Sequence, residues 1–100
     1  MSVAAAIDQK LRDAFAPARL EIVDESALHA GHFHAGQESA RRAAGETHFR
    51  LLIVSERFEG QSRVARQRLV YQTLADEIAG GVHALAMTTL TPSELARAGS

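Results

Sequence analysis

The chain has 100 residues, 46% of them hydrophobic, with a formal net charge of −1 and a pI near 6.5. That balance supplies no electrostatic drive toward a polyanion. The lack of any cysteine excludes a disulfide framework or a thiolate zinc site, and no stretch approaches the roughly 18 apolar residues of a membrane span.

A single domain over residues 1–100 is expected, with its core at about 3–92. Nineteen of the hydrophobic residues are alanine; the 27 larger ones suffice for two layers of secondary structure. The opening "MSVAAAIDQKL" has an early acidic residue and no long apolar run, so it does not read as a signal peptide, and a cytoplasmic location is expected. "SVAAAIDQKLRDAF" predicts a helix: Ser2 suits the N-cap, and Ile7, Leu11 and Phe15 recur every four residues. Pro17 stops it, because proline disfavours helical backbone at the residue before it. "ARLEIVDE" predicts a short strand carrying Leu20, Ile22 and Val23. "THFRLLIVSERF" predicts a second, with Phe49, Leu51 and Ile53 on one face and Arg50, Leu52 and Val54 on the other. Between them runs Ser26 to Glu46, far longer than a usual hairpin connection, so this loop is functional or disordered.

"EGQSRVARQRLVYQTLADEIAGG" predicts the longest helix, over 62–79, capped by Ser62 and ended at Gly80-Gly81. Val64, Val70, Tyr71, Leu74 and Ile78 fall in one arc at 100° per residue. Gln67 lies inside that arc, so its amide should be covered and hydrogen-bonded; Leu69 lies outside it and should be exposed. "VHALAMTTL" predicts a third strand, with Val82, Ala84 and Ala86 on one face and His83, Leu85 and Met87 on the other. "TPSELARA" starts a final helix, with Thr91 as N-cap, Pro92 at its first position and Glu94 at capping-box spacing. A helix between the second and third strands implies parallel pairing with a right-handed crossover. The expected fold is therefore α+β: one αββαβα domain, a three-stranded mixed sheet, and helices packed on one face. Ile7, Leu11, Phe15, Phe49, Leu51, Ile53, Val70, Leu74 and Ile78 should be buried.

Four of the five histidines, His29, His32, His34 and His48, fall between Asp24 and Phe49; the fifth is His83. "HAGHFH" could hold a divalent metal, or its imidazoles could be ordinary polar loop residues. "DES" has two carboxylates and a hydroxyl, but it reads as a strand-ending turn. There is no nucleophile elbow, phosphate loop or carboxylate dyad, so catalysis by this chain alone is not expected. Arg63, Arg66 and Arg68 fan over different directions of the long helix, which reads as a solvated surface. A nucleic-acid clamp of the KH kind needs a GXXG loop, and Gly60-Gln61-Ser62-Arg63 lacks the second glycine.

Taken together, "DES" with His29 three positions on, then "THF", "IVSERFEG", "RLVYQTLADEI", "VHAL" and "TP", strongly resemble the BolA family. The likeness runs from Leu11 to Pro92. It implies a domain like the class II KH module, in accord with the pattern above. It also implies a heterodimer with a monothiol glutaredoxin that shares one 2Fe–2S cluster, for iron–sulfur trafficking or iron and redox sensing. The glutaredoxin and glutathione would supply thiolates. This chain would supply His83 and a second ligand from the loop, His29, with His32 or His34 as substitutes because the loop is expanded here. The isolated chain would hold no cluster. Imidazole in place of thiolate removes negative charge from a cluster and raises its potential. The alternative is a DNA-binding transcriptional regulator that uses Arg63, Arg66 and Arg68. The sequence departs from the family at Arg66-Gln67-Arg68, where Arg-His-Arg is usual; Gln67 cannot serve as an imidazole ligand.

Overall fold

In a computed structural model, residues 2–25 and 48–98 are described. Helix α1 spans Val3–Phe15, and the Ser2 hydroxyl accepts from the Ala5 N–H at 3.1 Å. Its buried stripe is Ile7, Leu11 and Phe15. It stops at Ala16, which adopts the left-handed conformation (φ 43°) and donates its N–H to the Arg12 carbonyl at 3.0 Å. Pro17 follows directly, and proline pushes the preceding residue out of right-handed helix.

Strands β1 (Arg19–Asp24), β2 (His48–Val54) and β3 (Ala84–Leu90) form one sheet in the order β1-β2-β3. β1 pairs antiparallel with β2, Leu20 against Ile53 and Ile22 against Leu51. β2 pairs parallel with β3, Phe49 against Leu85 and Leu51 against Met87. A 3-10 turn, Glu56–Phe58, follows β2. The crossover to β3 runs through helices α2 (Arg63–Thr73) and α3 (Ala75–Ala79), and α4 spans Pro92–Ala98. The mixed sheet and the α+β order are as the sequence pattern predicts. The caps at Ser62 and Thr91 are present: Ser62 Oγ accepts from Ala65 N–H, and Thr91 and Glu94 bond reciprocally.

Two expectations about the long helix are corrected. It is not continuous over 62–79: Leu74, at φ −103° and ψ 19°, separates α2 from α3. Its buried face holds only part of the expected arc: Val70 and Leu74 are buried as expected, but Val64, Tyr71 and Ile78 are not. Those three are exposed by 56%, 44% and 37%, while Arg66, Val70 and Leu74 are buried. The true stripe runs at i, i+4, i+8 and is centred on Val70, one edge of the expected arc, so it is rotated by about 60° from the arc's centre. The amphipathic arithmetic placed an apolar arc correctly but could not know that a buried arginine belongs to the core face. Leu69 consequently sits half-buried against the core rather than in solvent.

The core lies between the sheet and the helices. Phe49, Leu51 and Ile53 of β2 meet Ile7, Leu11 and Phe15 of α1 and Val70 and Leu74 at the end of α2. Phe58 is fully buried with them, its ring 5.1 Å from that of Phe15. Each such large side chain contributes on the order of 1.5–3 kcal/mol by leaving water. Ser55 is buried too, but its hydroxyl donates to the Phe15 carbonyl at 2.6 Å and accepts from the Arg57 N–H, which offsets its desolvation. Among the described residues, no helix is long and apolar enough to cross a membrane.

Candidate functional site

His83 is positioned by what precedes it. α3 ends at Gly80, whose N–H donates to the Asp76 carbonyl at 2.9 Å; a β-carbon there would come within 3.2 Å of that same oxygen. Gly81 takes φ +125°, a conformation L side chains rarely adopt. The chain then drives Val82 into the core, and the Val82 N–H donates to the Glu77 carbonyl at 3.1 Å. With Val82 anchored, His83 is left exposed at the surface. It sits one residue before β3, not within the strand as the sequence pattern placed it. The alternation of faces starts only at Ala84: Leu85 and Met87 pack on the core, Ala84 and Ala86 face outward, and Val82 does not join them.

The helix behind this turn is pinned from below. Lys10 Nζ lies 2.9 Å from Glu77 Oε2 and 3.5 Å from Asp76, which ties α1 to α3. The hydrogen bond to Glu77 and the two carboxylate charges hold the Lys10 ammonium above its ordinary pKa, against a smaller opposing effect of burial.

β2 and β3 run parallel, so their starting ends coincide. His48 opens β2, is half-buried, and pairs with Ala84. β1 runs the other way and finishes at the same end, where the Glu25 N–H donates to the His48 carbonyl at 2.8 Å and the Glu25 carboxylate pairs with Arg50 at 3.1 Å. Glu25 and His48, which flank residues 26–47 in sequence, thus lie at the end of the sheet where β3 begins. His29, His32 and His34 lie in that segment, outside the described residues, as does the proposed "HAGHFH" metal site. Among the described residues, no three His, Asp or Glu side chains converge as a metal site would need.

The three arginines separate. Arg63 and Arg68 are exposed. Arg66, expected on a solvated face, is buried. Its guanidinium donates to the carbonyls of Gln61 (2.9 Å) and Thr89 (3.0 Å) and pairs with both carboxylate oxygens of Glu94 (2.7 and 3.3 Å). It also lies 5.7 Å from the Phe58 ring centroid, within cation–π range. It is a structural clamp and is not available to a nucleic acid. Sequence reading missed it because its partner is 28 positions away; the one signal was Glu94, marked as half of a capping box. Gln67 is also corrected: it is half-buried as expected, but its side-chain amide has no hydrogen bond among the described residues.

A family model described as BolA-like protein matches residues 11–94. The chain belongs to the BolA-like family. The DNA-binding transcriptional regulator BolA of Escherichia coli (strain K12) is 44% identical over 94 residues, which cover 94% of this chain and 80% of that protein. SufE-like protein 1, chloroplastic/mitochondrial, of Arabidopsis thaliana is 45% identical over 89 residues, 89% of this chain but 24% of that protein. The chain therefore spans about a quarter of the length of that relative. The solved structure of BolA1 from Arabidopsis thaliana superposes with a TM-score of 0.82 at 41% identity, covering 94% of this chain and 96% of that one. These names describe a regulator, a BolA protein and a SufE-like protein, and none denotes a catalytic activity. The BolA-like match takes in the sheet, α2, α3 and His83, and it ends at Glu94, the residue that Arg66 clamps.

Proposed function

We propose that this BolA-like chain partners a monothiol glutaredoxin and completes the ligand set of a shared 2Fe–2S cluster, in iron–sulfur trafficking or iron and redox sensing. One observation carries the reading. A surface imidazole, His83, is fixed between a buried valine and a sheet strand, at the end of the sheet where a histidine-bearing segment leaves and rejoins. A rigid backbone on both sides holds a ligand better than a loop can. His29 is four residues beyond Glu25, so the chain can carry it at most about 14 Å from the sheet end. The donor set fits the partial role: imidazoles without any cysteine supply two ligands and leave the thiolate positions to a partner and glutathione. When bound, the cluster would supply the redox chemistry; this chain would orient His83 toward it. Ligating imidazole must be unprotonated, so acidification should release the cluster.

The test is reconstitution with a monothiol glutaredoxin, glutathione, iron and sulfide, followed by gel filtration and visible spectroscopy. Wild type should form a heterodimer with one cluster. His29→Ala should weaken or shift its spectrum, and a His32→Ala/His34→Ala double variant should change little. A change confined to the double variant would transfer the second ligand to the expanded part of the loop.

The name of the Escherichia coli relative favours a second reading, DNA binding. Here it would rest on Arg63 and Arg68 alone, because Arg66 is engaged internally. Fluorescence titration with duplex DNA at two salt concentrations discriminates. Tight, sequence-selective binding whose salt dependence flattens in Arg63→Ala and Arg68→Ala would put DNA first.

A further inference from the structure

Among the described residues β3 is an edge strand, bonded to β2 on one side only. The Leu90 carbonyl accepts from the Ser55 N–H at 2.9 Å, so Leu90 directs its backbone groups toward β2. Backbone direction alternates along a strand, and Ala84, Ala86 and Thr88 do the same. Leu85, Met87 and Thr89 therefore direct their N–H and C=O groups outward. The Thr89 carbonyl is taken by Arg66. Leu85 and Met87 offer both groups, with no partner among the described residues.

Free sheet edges are normally blunted by charge or proline. β1, the opposite edge, is blunted: its sequence RLEIVD carries Arg19, Glu21 and Asp24. β3, ALAMTTL, has neither a charge nor a proline. Beside it runs a groove of about 240 Å³ between α2 and β3, lined by Arg63, Gln67, Met87, Thr88, Thr89 and Leu90. Among the described residues no carboxylate lines it, Arg63 is exposed at its rim, and the Gln67 amide is half-buried there without a partner.

We propose that this edge and groove bind an extended acidic peptide segment of a partner protein, which adds a fourth strand to β3 and lays a carboxylate against Arg63. The unpaired N–H and C=O groups of Leu85 and Met87 match a peptide backbone in spacing and in donor–acceptor alternation. A nucleic-acid strand could use Arg63 through phosphate but has no ladder to offer these groups. A second copy paired edge to edge would bring another uncharged β3, which leaves Arg63 and Gln67 unmatched.

The probe is an acetylated octapeptide of alternating threonine and valine that ends in two aspartates, titrated into the full chain labelled with ¹⁵N. Amide exchange at Leu85 and Met87 should slow at least about tenfold on saturation, a shift in the local opening equilibrium that strand pairing produces. Arg63→Glu should weaken binding about tenfold; an acidic residue in the first turn of α2 favours the helix, so the fold should persist. The same peptide N-methylated at alternate residues should not bind, because the ladder is blocked. Equal binding by the N-methylated peptide, protection elsewhere than β3, or no binding at millimolar peptide overturns the proposal. So does octathymidylate protecting Leu85 and Met87 where the peptide does not. A peptide-free dimer in sedimentation that protects the same amides would make the occupant a second copy and also overturn it.

Discussion

Glu94 shows how much one side chain can carry in a domain of this size. One carboxylate oxygen takes the Thr91 N–H at 2.8 Å and Arg66 Nη1 at 2.7 Å; the other takes Arg66 Nη2 at 3.3 Å. The hydrogen bond from Arg66, joined by that from Thr91, lowers its pKa from 4.5 to about 2. The sign follows from linkage. A folded-state pKa below the unfolded value gives stability that is fully present above pH 4.5 and is lost as pH falls toward about 2. Thermal unfolding across that window should show wild type losing stability faster with acid than Glu94→Gln, the two curves converging near pH 2. Arg66→Ala removes the buried partner and leaves the Thr89 carbonyl without its donor. It should cost about 2–4 kcal/mol in denaturant unfolding at neutral pH. A loss near zero would mean that Arg66 is solvated after all.

At the scale of elements, α1 and β2 were legible because their apolar periods are strict: Ile7, Leu11 and Phe15 at four, Phe49, Leu51 and Ile53 at two. α2 was legible in existence, in its caps and in the burial of Val70 and Leu74, but the rest of its face was not. Its core face includes Arg66, which hydropathy assigns to water, while Val64 and Tyr71 look like core residues and are not. The contrast is measurable. Leu74→Ala, at the buried joint between α2 and α3, should cost about 2–5 kcal/mol. Val64→Ser should stay within about 0.5 kcal/mol of wild type. Equal losses would put Val64 on the buried face with Leu74. The turn into β3 has a similar asymmetry. Gly81→Ala meets nothing within 4 Å, so any penalty comes from the backbone angle of +125° rather than from crowding. About 1–3 kcal/mol is expected in thermal or denaturant unfolding. An unchanged midpoint would mean that the turn relaxes into another conformation and does not itself fix His83.

Over the whole molecule, the order of strands does the work that no single motif could announce. Antiparallel β1–β2 and parallel β2–β3 bring the loop's two roots and His83 to one end of the sheet, although His83 lies far from Asp24 in sequence. That juxtaposition was readable only through topology, and the family resemblance supplied the chemistry to look for there. What the sequence could not supply was the anchoring by Val82 or the engagement of Arg66, since both depend on contacts between distant segments. The fold then leaves His83 as the one exposed histidine among the described residues, placed directly before β3. The most direct measurement of its role is the visible absorption and circular dichroism of the cluster-bound heterodimer with a monothiol glutaredoxin, compared among wild type, His83→Ala and His83→Cys. Loss or strong alteration of the spectrum is predicted in His83→Ala. In His83→Cys a cluster should be retained at a lower reduction potential, since thiolate restores negative charge. An unchanged spectrum in His83→Ala would contradict the account.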